Sequence, residues 1–293
     1  MVKGILLALV YVGAAVLGGS LLAWLLAPLL DYPYVKVLSR AILLCAALGL
    51  LPLWRYAGLT SRGIGLLPVP WSILPSAWSI AILMVLPPML VFFVTGFRVW
   101  HTIVDVFSLG FLAEVAVIFV SSWIVGIFEE TLFRGVFFTI LWQRVNAMFA
   151  VFVTSICYAA VHFLEPSEDI SGFAENFTGG LWYVLSAFGD LFNSQHLDSF
   201  AALFLLGCLL CIVRTRWGLW AAIAMHAAWV FGIRVFKELT VRDVVNPFRE
   251  LVGEFDNFVG VLVAFWLAFA LVSLALARRL PGRSEPLILK PQD

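Results

Sequence analysis

Glu129, Glu130 and Arg134 lie in the run Phe128-Glu129-Glu130-Thr131-Leu132-Phe133-Arg134-Gly135, inside a long apolar stretch. An ionisable side chain at membrane depth costs about 2.5–3.5 kcal/mol on insertion scales. Three within six residues demand a purpose, because apolar residues would fill a packing role without that cost. Two further polar residues interrupt apolar runs. His162 lies in Tyr158-Ala159-Ala160-Val161-His162-Phe163, and His226 in Ala224-Met225-His226-Ala227-Ala228-Trp229. The chain has four histidines in all, so half of them fall in these runs.

The residue types are those of acid–base chemistry. Glu130 and Arg134 are four apart, so a helix puts them on one face in the order favourable for an ion pair. Glu129 points about 100° away from Glu130, free to face other partners. A division of roles follows. Glu130–Arg134 neutralises the site and holds its frame, and Glu129 faces the histidines as a general base. His162 would orient a water with Glu129, and His226 would donate to negative charge developing on a carbonyl. Glu129, His162 and His226 are also a zinc-ligand set, so a divalent metal stays open as an alternative.

The elements that hold these residues must be membrane helices. The 293 residues are 63% hydrophobic and 12% charged, with mean hydropathy +1.03; soluble domains carry about 25% charged residues. A crossing needs about 20 mostly apolar residues. Eight stretches qualify: 4–27, 35–54, 71–97, 108–141, 148–164, 199–213, 217–236 and 258–277. The expectation is an all-α, polytopic transmembrane bundle of about eight spans. Residues 1–106 give three N-terminal spans without a chemical motif, 107–236 the catalytic core, and 237–293 the last span with a basic tail. Pro87-Pro88 should kink the third span. The fourth is too long for a simple crossing, so it should tilt, break or project. The run 181–188 reads as a short interfacial or re-entrant helix.

Basic residues set the orientation. With eight spans both ends share a side, and that side collects ten Lys and Arg, among them Arg55, Arg144, Arg214 and Arg216, against five on the other. The positive-inside rule then places both termini in the cytoplasm. The connection 165–198, with six acidic residues and no Lys or Arg, falls outside. Formal net charge is zero, which removes the electrostatic case for nucleic acid.

Depth can be counted at about 1.5 Å per residue. From the nearest cytoplasmic helix end, Glu129 is about 20 Å deep, His162 about 22 Å and His226 about 15 Å. Helices of alternating direction thus bring the polar residues to similar levels. Elsewhere, Cys45, Cys157, Cys208 and Cys211 all fall in apolar runs and read as ordinary thiols, including the Cys208-Leu-Leu-Cys211 pair. Glu114 reads as a packing or cavity residue, Gly18-Gly19 as a point of close helix approach, and His101 and His196 as loop residues.

These residues resemble the CPBP family (CAAX proteases and bacteriocin-processing enzymes, also called Abi), intramembrane endopeptidases that include the type II CAAX prenyl proteases. Its EExxxR motif is matched by Glu129, Glu130 and Arg134, followed by Gly135. In its FxxxH motif Tyr158 replaces the Phe and His162 matches. In its HxxxN motif His226 matches and Val230 stands in the place of the Asn. The similarity covers roughly 111–232 and includes Phe204-Leu205-Leu206-Gly207. It implies that Glu129 and His162 activate water and that His226 serves the oxyanion site. Trp229, one residue before Val230, is a substitute donor in that site. The implied partners are a membrane-associated protein or peptide substrate and the lipid bilayer. The implied location is a multi-pass membrane protein, in the plasma or inner membrane if bacterial.

Two other classes compete. Intramembrane Glu, His and Arg also form proton relays, which would make the protein an ion-coupled transporter, although no inverted repeat is visible. A non-catalytic helper of the same fold, an immunity factor or membrane chaperone, is the reading that Val230 favours.

Overall fold

A computed structural model of the chain describes residues 2–101, 105–163, 174–190, 196–253 and 256–277. The regular structure of the described residues is helical apart from one two-stranded antiparallel pair. The helices are α1 (Val2–Leu26), α2 (Tyr34–Tyr56), α3 (Leu74–Val94), α4 (Leu109–Glu130), α5 (Phe138–Arg144), α6 (Ala147–His162), α7 (Phe177–Asp190), α8 (Leu197–Trp217), α9 (Leu219–Leu239) and α10 (Val261–Ala277). Strands β1 (Arg98–Trp100) and β2 (Thr240–Arg242) pair antiparallel, Val99 opposite Val241, and tie the exit of α3 to the end of α9.

Six helical stretches are long and apolar enough to cross a bilayer: Val10–Leu29, Tyr34–Tyr56, Trp71–Val94, Leu109–Arg144, Leu197–Trp217 and Leu219–Leu239. The other two expected crossings, on α6 and α10, are apolar but only 16 and 17 residues long. Outward faces agree with a lipid surround: Leu83, Leu90, Val117 and Ile124 are each more than half exposed, and they share the outside of the bundle with many other large apolar side chains. The protein is a multi-pass membrane protein. The run 181–188 lies in α7, which packs on α1 and is tied to α2 where the Tyr34 hydroxyl donates to the Asn176 carbonyl at 2.8 Å. Much of the connection 165–198, and the basic tail beyond 277, lie outside the described residues.

The fourth span resolves its excess length without a break. Helix α4 runs through a π-helical segment, Thr131–Phe137, straight into α5, 36 residues from Leu109 to Arg144. In that segment the Phe138 N–H donates to the Phe133 carbonyl, five residues back. Such wide turns are rare and cluster at functional sites. Local signals fix the ends. The Ser108 hydroxyl caps α4 by accepting from the Phe111 N–H, and the Asn146 side chain caps α6 by accepting from the Phe149 N–H. Helix α3 is continuous through Pro87 and Pro88.

Helix α9 is the centre of the bundle. Every residue from 221 to 229 is buried, which is the pattern of a helix surrounded by others; α3, α4 and α8 cover it. Small residues let these helices close in, as membrane packing requires. A Cβ on Gly126 of α4 would stand 3.1 Å from the Ile223 carbonyl of α9, and one on Gly207 of α8 only 2.9 Å from Ser155 Cα of α6. Gly19 does the same for α1 against α2, where a Cβ would fall 2.6 Å from Ile42 Cα. Gly18 is looser, meeting only the Cys45 side chain. Glu114, expected inside, is instead exposed on the outer face of α4.

Candidate active site

Four elements converge on one buried cluster. Helix α4 supplies Glu129 and Glu130, the π-helical segment Arg134, α6 Tyr158 and His162, and α9 His226. Glu130 and Arg134 are both wholly inaccessible, and the Arg134 Nη1 group donates to Glu130 Oε1 at 2.8 Å, the ion pair expected from their spacing. Arg134 Nη2 donates to the Gly207 carbonyl at 3.3 Å. Its guanidinium carbon stands 4.2 Å from the centroid of the Tyr158 ring, a cation–π contact in a dry setting.

Glu130 does more than pair with arginine. The same Oε1 accepts from His226 Nδ1 at 2.8 Å, so one carboxylate oxygen joins α4, the π-helical segment and α9. With Nδ1 donating to Glu130, the other ring nitrogen, Nε2, is turned toward Glu129 Oε2, 3.8 Å away. Glu129 keeps 23% of its side chain accessible while Glu130 keeps none. The buried carboxylate oxygens Glu129 Oε2 and Glu130 Oε2 have no hydrogen-bond partner among the described residues.

His162 Nδ1 donates to the Tyr158 carbonyl at 2.8 Å. A carbonyl only accepts, so the proton of the neutral ring sits on Nδ1 and Nε2 is the nitrogen able to accept one. Tyr158, the residue in place of the motif phenylalanine, is only 1% exposed. Its ring meets His162 edge-on at 4.7 Å and His226 at 6.0 Å, and so serves both imidazoles and Arg134 as a common wall.

The structure thus brings Glu129, Glu130, Arg134 and His226 into direct contact and sets His162 against the same tyrosine. The pairing of His226 with Glu130 differs from the expected split, in which Glu129 alone faced the histidines. The cause is rotational: the contact of Gly126 with Ala227 seats α9 so that His226 meets the buried side of α4. Trp229 does not stand in for the missing asparagine. Its indole N–H donates to the Ala81 carbonyl at 2.8 Å, which commits it to α3, about 100° around α9 from Val230. Sequence reasoning missed Tyr158 as a wall and Gly207 as an acceptor. A tyrosine at an aromatic motif position was the one available signal for the first, and a backbone carbonyl leaves none.

Among the described residues no three His, Cys, Asp or Glu side chains gather as a metal cage. Glu129, His162 and His226 therefore do not fit a preformed zinc set. Cys208 and Cys211 are free thiols, one partly buried and one buried. His196 opens the turn into α8 and stacks on Phe163 at 5.4 Å, one residue past His162.

No curated protein and no solved structure matches the chain. A family model, type II CAAX prenyl endopeptidase Rce1-like, matches residues 110–232. That interval opens with α4, closes within α9, and contains every residue of the cluster, while α1–α3 and α10 lie outside it. Residues 110–232 are a Rce1-like domain of the type II CAAX prenyl endopeptidase (CPBP/Abi) family, carried in a multi-pass membrane chain.

Proposed function

We propose that the protein is an intramembrane endopeptidase that hydrolyses a peptide bond in a membrane-associated protein or peptide, with Glu129 activating the attacking water. The observation that carries this reading is the exposure contrast between the two glutamates. Glu130 is sealed, with its Oε1 spent on Arg134 and His226, whereas Glu129 keeps 23% of its side chain accessible.

In this mechanism Glu129 takes a proton from water as the water oxygen attacks the carbonyl carbon. His162 Nε2 accepts the water's other hydrogen and fixes its lone pair toward the carbonyl. His226, anchored through Nδ1, presents Nε2 beside Glu129; doubly protonated, it donates there to the tetrahedral oxyanion. Glu129 then passes its proton to the amide nitrogen, the C–N bond breaks, and a carboxylic acid and an amine leave. Glu130 and Arg134 never touch the substrate and hold His226 in position. The asymmetry of basic residues supports eight crossings, α6 and α10 included, with both termini in the cytoplasm.

The test is cleavage by purified protein in liposomes against a panel of membrane-anchored peptides. Wild type should cleave, and Glu129→Gln should lose at least about 10²-fold in rate with unchanged melting temperature. Equal cleavage by both would remove Glu129 from the mechanism. Ion flux without cleavage would turn the assignment to a transporter. One observation favours a second reading, a non-catalytic helper: Val230 offers no donor where the motif has Asn, and Trp229 is engaged elsewhere. Tight peptide binding with no cleavage by wild type would establish it.

A further inference from the structure

A groove of about 790 Å³ opens between α1, α2 and the end of α5, away from the cluster of Glu129 and His226. Its size falls in the range of about 300–1,000 Å³ typical of small-ligand sites. Its walls are almost wholly apolar, from Leu7 to Ala15 on α1 and from Cys45 to Tyr56 on α2. Among the described residues the single charged one lining it is Arg144, the last residue of α5.

The groove has a length and a polarity. Along α2, Cys45 to Tyr56 spans about 16 Å at 1.5 Å per residue. The hydrocarbon core of a bilayer is about 30 Å thick, so the groove is as deep as one leaflet. Its polar end gathers Arg144 with Tyr56, which is 81% exposed, the pairing of cation and aromatic that marks a membrane interface. Its other end, at Ala15 and Cys45, reaches the middle of the bilayer. Among the described residues no acidic side chain lines it.

We propose that this groove binds one anionic glycerophospholipid of the leaflet on the Arg144 side, an acyl chain along α1 and α2 and the phosphate at Arg144. The site is continuous with the family domain through a row of rings. Tyr11 in its wall meets Phe137 at 5.9 Å, Phe137 meets Phe133 at 6.2 Å, and Phe133 meets Tyr158 at 5.5 Å. Lipid in the groove therefore packs against the first ring of a row whose last ring backs both histidines.

The test reads binding alone and does not depend on cleavage. Full-length protein in mild detergent is titrated with phosphatidylglycerol or with phosphatidylcholine of identical acyl chains, and retained lipid is counted by native mass spectrometry. Wild type should hold one phosphatidylglycerol about fivefold more tightly than phosphatidylcholine, the effect of one basic residue at a membrane surface. Arg144→Gln should erase the preference and keep acyl binding. Ala14→Trp and Val10→Trp, at exposed groove positions, should each remove both lipids; two variants cover the failure of one to fold. Leu83→Trp, on the outer face of α3, should change nothing. Equal retention of the two lipids by wild type, or a wild-type adduct on both groove variants, would overturn the proposal.

Discussion

Replacing Glu130 with Gln tests whether the cluster is held by charge. The glutamate and Arg134 are fully buried and meet at 2.8 Å, and the same oxygen holds His226. Removing one partner of a buried ion pair costs about 3–5 kcal/mol, because the other charge stays behind unneutralised. The amide keeps an acceptor oxygen, and Arg134 keeps the Gly207 carbonyl and the Tyr158 ring, so the lower end, about 3 kcal/mol, is expected. Arg134→Met removes the opposite charge. The double variant Glu130→Gln/Arg134→Met leaves no stranded charge, so its loss should fall short of the sum of the single losses by about 2 kcal/mol or more. Unfolding of the four proteins in mixed micelles by increasing dodecyl sulfate gives the cycle directly. A cost for Glu130→Gln below about 1 kcal/mol, the value of an exposed pair, or strict additivity, would show that the pair does not hold the site.

Four other outcomes follow from the geometry. Glu129→Gln should leave micellar stability within about 0.5 kcal/mol of wild type while abolishing peptide cleavage. Gly207→Val should destabilise by about 1–3 kcal/mol through overpacking against Ser155, and Ser155→Gly should restore only part of the loss, because the Ser155 Cα, 2.9 Å from the added Cβ, stays in place; full rescue would confine the strain to the serine side chain. Tyr158→Phe should fold and cleave nearly as wild type, whereas Tyr158→Leu should lose about 2 kcal/mol for the ring's contact with Arg134 together with cleavage rate. Trp229→Phe should cost about 1 kcal/mol for the bond to Ala81 and leave kcat unchanged; a fall of about 10²-fold would return Trp229 to the oxyanion site.

What could be read from the sequence was whatever depends on spacing along one helix or on composition. The four-residue step from Glu130 to Arg134 gave the ion pair, apolar run lengths gave six of the long helices, and depth counting put Glu129, His162 and His226 at similar levels. Facts about rotation between helices were not legible. His226 meets Glu130 because Gly126 lets α9 approach on one side of α4, and an alanine-rich helix gives no hint of which side that is. Trp229 faces α3 for the same reason. The π-helical segment was not legible either: Thr131–Phe137 includes Gly135, a poor helix former, but a glycine within a helix does not specify a wide turn. Glu114 misled because a carboxylate in an apolar run was read as internal, while its rotation on α4 points it outward.

Helices α8 and α9 are joined by Gly218 alone, at φ 91° and ψ 171°, a conformation open to essentially no residue but glycine. Gly207 lies about 16 Å below that corner on one arm and His226 about 12 Å below it on the other, at 1.5 Å per residue. The corner therefore works as a gauge block: the height of the arginine's carbonyl anchor against the height of the imidazole is decided by residue counting, with no slack to absorb an error. One residue added between Leu219 and His226 would lift the ring by about 1.5 Å and swing it by about 100°, out of reach of both glutamates. Length variation across relatives of this domain should accordingly collect in the other connections and be shut out of this one.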